Sequence, residues 1–188
     1  MKASDRLFIQ AAVLLAEHGR LTCAPNPTVG CIIVRNGQAI GRGYHEYAGQ
    51  GHAEVNAIAD AGGDVTGSTV YVSLEPCSFI GKTPACAQTL IDAGVTRVVI
   101  GALDPNPRVA GNGIAMLKAA NIEVELLDLV QARNCIAGFT KRITTNWPFV
   151  RLKSASSLDG AIALADGTSQ WITGSEARAD VQYWRARS

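Results

Sequence analysis

Near the N-terminus, apolar residues recur at helical spacing. Leu7, Phe8, Ala11, Leu14 and Leu15 predict a helix over 5–18, with Ser4 or Asp5 placed to cap it and Gly19 to end it. The pattern then changes to two strands, 29–34 and 38–44, joined by Asn36-Gly37, a dipeptide that suits the positive φ of a tight hairpin turn. Residues 52–61 return to helical character and close on Gly62-Gly63, and 70–74 reads as a short strand. A helix is expected over 84–93, with Thr83 as its cap, Pro84 in the first helical position and Gly94 just past its end. A strand at 97–101, a helix at 113–120, a strand at 123–127 and one more helix near 128–142 complete the series. Strands that alternate with helices after an opening hairpin predict a three-layer α/β/α domain with a mixed sheet. Pro148 breaks the series; beyond it a strand over 149–154 and a helix over 175–187 are expected. The domains are therefore drawn at 1–147 and 148–188. One strand and one helix in about forty residues cannot bury a core alone, so the second unit is expected to be incomplete.

Composition narrows the class. Of 188 residues, 47% are hydrophobic and 18% charged, which favours a packed core over disorder. A net charge of +1 gives no broad electrostatic footprint for nucleic acid. No apolar run is long enough to predict a membrane-spanning helix. The opening MKASDRLFIQ carries Asp5 and no apolar signal region. Five cysteines in that setting predict reduced thiols, a cytoplasmic location and metal binding in preference to disulfides.

The chemistry concentrates in His52-Ala53-Glu54, Pro76-Cys77 and Cys86. One imidazole and two thiolates suit Zn²⁺ and leave a fourth position open for water, as in catalytic rather than structural sites. Zinc deaminases use this set, with a glutamate that does not bind the metal moving protons. Residues two apart do not share a helix face, but in a first turn His52 and Glu54 can both point toward the helix mouth. Cys86 falls in the first turn of a predicted helix, where the positive helix end favours thiolate. The usual second half of the pattern is P-C-x-x-C, whereas here eight residues, 78–85, separate Cys77 from Cys86. A closed structural zinc site with His45 or another cysteine as fourth ligand is the bland alternative.

That insertion holds Gly81-Lys82-Thr83-Pro84. A nucleotide P-loop would need glycine at position 76, which is Pro76, so that motif is rejected. A Gly-Lys loop opening a helix still suits a substrate phosphate, the alternative being a solvated lysine on a turn. Asp104-Pro105-Asn106-Pro107 follows a strand end, where α/β sheets place ligands, and Asn26 is held between Pro25 and Pro27. Asp and Asn there can read the edge of a polar ring, or the segments are ordinary turns. Cys23, Cys31 and Cys135 lack ligand spacing and read as small core residues.

Together, Pro25-Asn-Pro-Thr-Val-Gly-Cys31, Gly43-Tyr-His45, Gly51-His-Ala-Glu54, Glu75-Pro-Cys77, Gly81-Lys-Thr-Pro84, Cys86 and Asp104-Pro-Asn-Pro107 resemble the bifunctional riboflavin-biosynthesis deaminase/reductase family. The long gap holding G-K-T-P separates that family from cytidine, guanine and tRNA adenosine deaminases. The resemblance implies a cytidine-deaminase-like α/β/α domain and hydrolytic deamination of a diaminopyrimidinone carrying a ribosylamino 5-phosphate. It implies that His52, Cys77 and Cys86 bind one Zn²⁺, that Glu54 is the proton shuttle, and that Asn26, His45, Lys82, Asp104 and Asn106 contact substrate. Two positions depart from the family: Phe79 stands where His is common, and Ala85 where a second Pro is common. From Lys153 the chain resembles the start of the family's dihydrofolate-reductase-like domain, which uses NADPH. Ala155 and Trp171 match cofactor positions there, and Ser169 and Arg185 match substrate positions. With the rest of that domain absent, no reduction by these 188 residues is expected. The implied partners are a phosphorylated pyrimidine and further copies of the chain, as dimer or tetramer, with no nucleic acid and no membrane. Another zinc nucleobase deaminase and a non-catalytic zinc-stabilised module are the alternatives.

Overall fold

A computed structural model describes residues 3–79, 84–107 and 109–187. The chain divides into two compact units, Met1–Trp147 and Pro148–Ser188. In the first, α1 (Ala3–Ala16) and a short 3₁₀ turn lead to strands β1 (Gly30–Arg35) and β2 (Gln38–Tyr44). There follow α2 (Ala53–Asp60), β3 (Thr69–Val72), α3 (Cys86–Asp92), β4 (Arg97–Ile100), α4 (Asn112–Ala119), β5 (Glu123–Leu126), α5 (Val130–Cys135) and α6 (Ala137–Thr145).

The five strands form one sheet in the order β2-β1-β3-β4-β5. β1 runs antiparallel to both β2 and β3, whereas β3, β4 and β5 are parallel. The mixed sheet expected from the alternation is therefore present, and Asn36 (φ 55°) with Gly37 (φ 79°) turns the hairpin. Successive residues of a strand face opposite ways, and the core divides accordingly. Cys31, Ile33, Val70, Val72, Val98 and Ile100 pack against Ala53 and Ala57 of α2, Ala87 and Leu90 of α3, and Leu117 of α4. Ile32, Val34, Tyr71 and Val99 pack the other way, against Ile9, Ala12, Val13 and Ala16 of α1 and Ala132 and Cys135 of α5. Each fully buried aliphatic side chain contributes about 1.5–3 kcal/mol, so three layers with two cores give the unit ample driving force. At Gly43 a Cβ would lie 2.3 Å from Ala57 N and 2.4 Å from Ala53 O, so only glycine lets β2 sit directly on α2.

Several local expectations are corrected. Asp5 does not cap the first helix; it lies inside the first turn of α1, buried, with Arg97 donating 2.9 and 3.1 Å hydrogen bonds to its two oxygens. Thr83 lies outside the described residues. Pro84 precedes the helix, which starts at Cys86 with Ala85 as its N-cap. The single helix expected near 128–142 is two, broken at Ile136 (φ −110°, ψ 17°). The carbonyl of Cys135, at the end of α5, accepts hydrogen bonds from Arg20 Nη2 (3.0 Å) and Thr28 Oγ1 (2.9 Å). Those distant donors engage an oxygen that a continuous helix would use internally.

In the second unit, α7 (Ser175–Ala186) agrees with the helix expected there. The strand expected at 149–154 is not formed, and no strand occurs among the described residues of this unit. A strand persists only where a neighbour takes up its backbone hydrogen bonds. Here Leu152 is 92% exposed, and Val150, Leu158 and Ile162 are also exposed. Within the unit, the Arg178 guanidinium lies 4.3 Å from the Trp171 ring centre and that of Arg151 lies 4.5 Å from Trp184. Among the described residues no helix is long and apolar enough to cross a membrane.

Candidate active site

The site of the first unit lies beyond the C-terminal ends of the parallel strands β3 and β4, where the N-termini of α2, α3 and α4 converge. His52 is the N-cap of α2, with extended backbone (φ −73°, ψ 167°), so its ring projects from the helix mouth while Glu54 follows in the first turn. The loop before α2 is pinned by Asn56, whose Nδ2 donates to Tyr44 O (2.8 Å) and Gly51 O (3.3 Å). Cys77 follows the β3 strand end and Cys86 opens α3. The two are tied together by Ala87 N to Cys77 O (3.1 Å) and Cys86 N to Cys77 Sγ (3.3 Å).

His52 Nδ1 lies 3.0 Å from Cys86 Sγ and 3.7 Å from Cys77 Sγ, and the donor atoms of the three residues lie within 4.8 Å of one another. Zn–S and Zn–N bonds of about 2.3 and 2.0 Å at tetrahedral angles place sulfur and nitrogen about 3.5 Å apart, so the cluster fits one zinc ion. Among the described residues no fourth His, Cys, Asp or Glu joins it. His45 is not a fourth ligand: its Nδ1 is 3.1 Å from Gly51 O and its Nε2 3.1 Å from Asn26 Nδ2. The carbonyl requires Nδ1–H, which makes Nε2 the acceptor for Asn26. Burial lowers the His45 pKa and favours that neutral ring.

The charges suit metal binding. The hydrogen bond between the two thiols pulls Cys77 down to about 4, with His52 adding to the effect. The same hydrogen bond, followed by burial, pushes Cys86 up. Binding of a thiolate-seeking cation there would displace thiol protons. His52 is raised chiefly by its hydrogen bond with Cys77. Glu54, 3% exposed, is raised by burial, with its own backbone amide and His52 opposing.

A cavity of about 490 Å³ opens beside the cluster, lined by Asn26, His45, His52, Glu54, Cys77, Asp104 and Asn106 among others. The predicted metal, proton-transfer and base-reading positions thus converge on one pocket, with Cys86 buried behind its wall. Lys82 falls outside the described residues. Phe79 lines the pocket while half exposed. Asp104 is raised to about 6, first by burial, with the Asn106 amide (2.8 Å to Oδ1) opposing and Glu75 and Cys77 adding to the rise. Its side chain gains a donor, while Oδ1 can still accept from the Asn106 amide, as pH falls through that value.

The residues singled out in the second unit do not converge in this way. Ala155 is half-buried along a groove bounded by Arg151 and Trp184, while Trp171, Ser169 and Arg185 are exposed. Sequence reasoning missed Glu75, Val109 and Phe139 in the pocket wall. Phe139 had no signal beyond one apolar position on a polar helix, and Glu75 stood in view only as the residue before Pro76-Cys77.

Comparison with known proteins agrees with this geometry. Residues 2–102 match the profile of the cytidine and deoxycytidylate deaminase zinc-binding region, and 148–188 match that of the RibD C-terminal domain. The riboflavin biosynthesis protein RibD of Haemophilus influenzae is 52% identical over 188 residues, covering 99% of this chain and 50% of the relative. The structure of Acinetobacter baumannii RibD (form 1) superposes with TM-score 0.88 at 52% identity, covering 98% of this chain and 52% of that one. A diaminohydroxyphosphoribosylaminopyrimidine deaminase/5-amino-6-(5-phosphoribosylamino)uracil reductase from Thermotoga maritima gives TM-score 0.90 at 41% identity, covering 96% and 52%. The chain spans about half the length of the curated relatives it matches.

Proposed function

The chain belongs to the cytidine and deoxycytidylate deaminase zinc-binding family, and from that premise we propose that it hydrolytically deaminates a diaminopyrimidinone bearing a ribosylamino 5-phosphate, a step of riboflavin biosynthesis. The observation that carries this is the three-donor cluster of His52, Cys77 and Cys86 beside a buried Glu54 at one cavity. Zinc held there would supply Lewis-acid activation of a water molecule. Glu54 accepts a proton from the attacking water and passes it to a ring nitrogen as the hydroxyl adds to the ring carbon. It then takes the proton of that hydroxyl and delivers it to the amine, so that the carbonyl forms, the C–N bond breaks and ammonia leaves. A carboxyl whose pKa is raised by burial suits both halves of that exchange. Asn26, Asp104 and Asn106 line the cavity and would read the base, with His45 holding the Asn26 amide. Lys82 is assigned to the substrate phosphate on its place in the Gly81-Lys82-Thr83 motif alone. Residues 148–188 contribute to an NADPH-dependent reductase domain, with Ala155 and Trp171 toward the cofactor and Ser169 and Arg185 toward the substrate; the profile match over that segment supports this. Five free thiols favour a reducing, cytoplasmic setting. The outer strands β2 and β5 give the sheet edges on which a homo-oligomer can build.

The test is ammonia release by the zinc-loaded chain, with cytidine as the competing substrate. We expect release from the phosphorylated diaminopyrimidine, loss of activity on chelation, recovery when zinc is returned, and at least ~100-fold lower kcat/KM for cytidine. Preference for cytidine, or no release from folded, zinc-loaded protein, would overturn the proposal.

A further inference from the structure

Glu75 stands two residues before Cys77, and its side chain is buried, 3% exposed, with a carboxylate that is not part of the metal-donor cluster and is bonded to another segment. Oε2 accepts hydrogen bonds from Gly111 N (3.0 Å) and, more weakly, Asp104 N (3.4 Å); Oε1 accepts one from Ile114 N (3.2 Å). All three donors belong to the stretch from the β4 exit to the first turn of α4, which carries Asp104 and Asn106 into the pocket. The Glu75 backbone N–H donates to Ala102 O (3.0 Å) at the start of the same stretch. At Gly113 a Cβ would lie 2.0 Å from Pro76 O and 3.3 Å from Glu75 Oε1, so the α4 turn rests directly on the backbone that leads into Cys77. Otherwise orphaned N–H groups at a helix start are satisfied best by a negative acceptor. Here that acceptor comes from the metal-bearing strand end and not from the helix's own cap, since Gly111 has no side chain to offer.

We infer that Glu75 is a positioning residue that clamps the Asp104–Asn106 wall of the pocket to the Cys77 segment, so that the base-reading groups keep their distance from the metal cluster. This rests on the deaminase reading for its catalytic consequence, but the clamp itself is a property of the free protein. Both carboxylate oxygens are used as acceptors. A glutamine must therefore turn an NH2 group toward one set of backbone N–H donors, whichever way its amide is rotated. Misplacement of a substrate-positioning wall by about an ångström costs up to about 100-fold in rate.

The experiment uses the zinc-loaded 188-residue chain with Glu75→Gln and Glu75→Asp. Amide hydrogen exchange is read at Asp104, Gly111 and Ile114, zinc content is measured, and ammonia release from the phosphorylated diaminopyrimidine gives KM and kcat separately. For Glu75→Gln we expect exchange at these amides to quicken about tenfold or more while β3 and β4 amides keep their protection. Zinc content should stay as in the wild type, with kcat/KM falling about tenfold to 100-fold, mainly through KM. Glu75→Asp, which keeps the charge but is one methylene shorter, should fall between. If the glutamine variant does not fold, the aspartate variant is read by the same criteria. Unchanged exchange at all three amides overturns the clamp. Quickened exchange with wild-type KM and kcat in zinc-loaded protein overturns the positioning role and leaves Glu75 a structural residue. If the wild type releases no ammonia, the deaminase reading falls while the exchange result still decides the clamp.

Discussion

Replacing Glu54 with glutamine is expected to lower ammonia release by roughly 10²–10⁴-fold while zinc content and fold are retained. Glutamine matches the shape of the side chain but can neither take a proton from water nor return one to a ring nitrogen. The residue lies in the first turn of α2, 3% exposed, and lines the cavity beside His52 and Cys77. Burial raises its pKa, so the folded protein disfavours the charged form. By linkage, that environment contributes stability below the ordinary glutamate pKa and loses it as pH rises through the shifted value. A neutral glutamine avoids the penalty near neutrality, and the variant should melt no lower than the wild type. Steady-state ammonia release, zinc analysis and a thermal melt on the same preparations check this. Turnover within about threefold of the wild type would remove Glu54 from the chemistry. Loss of zinc together with activity would make it a determinant of the metal site.

The second large effect concerns stability. Asp5→Ala should destabilise the first unit by about 3–5 kcal/mol, read by urea unfolding of the zinc-loaded chain. Asp5 is fully buried and receives two hydrogen bonds from Arg97 and one from Tyr71 Oη (3.0 Å). Through that carboxylate α1 is fastened to β4 and β3. Burial, reinforced by Asp5, holds the Tyr71 hydroxyl up at about 12. Alanine would leave the phenol without this acceptor and deprive the guanidinium of its most buried counter-charge. Arg97 keeps Glu123 (2.8 Å from Nε) and Glu125, which places the effect toward the lower end of the range. A change below about 1 kcal/mol, the ordinary value for an exposed pair, would mean that water already reaches this network.

The layered architecture of the first unit was legible in the chain because it is encoded locally. Strand alternation, helical apolar spacing and the Asn36-Gly37 turn each act over a few neighbouring residues. The residues that gather into the His52, Cys77 and Cys86 cluster were legible too, because zinc suits few residue types and His52-x-Glu54 with Pro76-Cys77 is a short pattern. The strand at 149–154 misled for the complementary reason: strand propensity is local, but a strand needs a partner to take its hydrogen bonds.

What the sequence by itself determined is the list of reactive groups and the layers that carry them. What only the tertiary structure decided is how those groups are held. Nδ1 of His52 faces the sulfurs, and His45 is spent on Asn26 and Gly51. Asp5 belongs to Arg97 and not to a helix cap, and Glu75 belongs to the α4 turn. The Cys135 carbonyl ends a helix because Arg20 and Thr28 reach it from more than one hundred residues away. Most of these hydrogen bonds join groups well separated in sequence, and neither their meeting nor their shielding from water exists until the chain has packed.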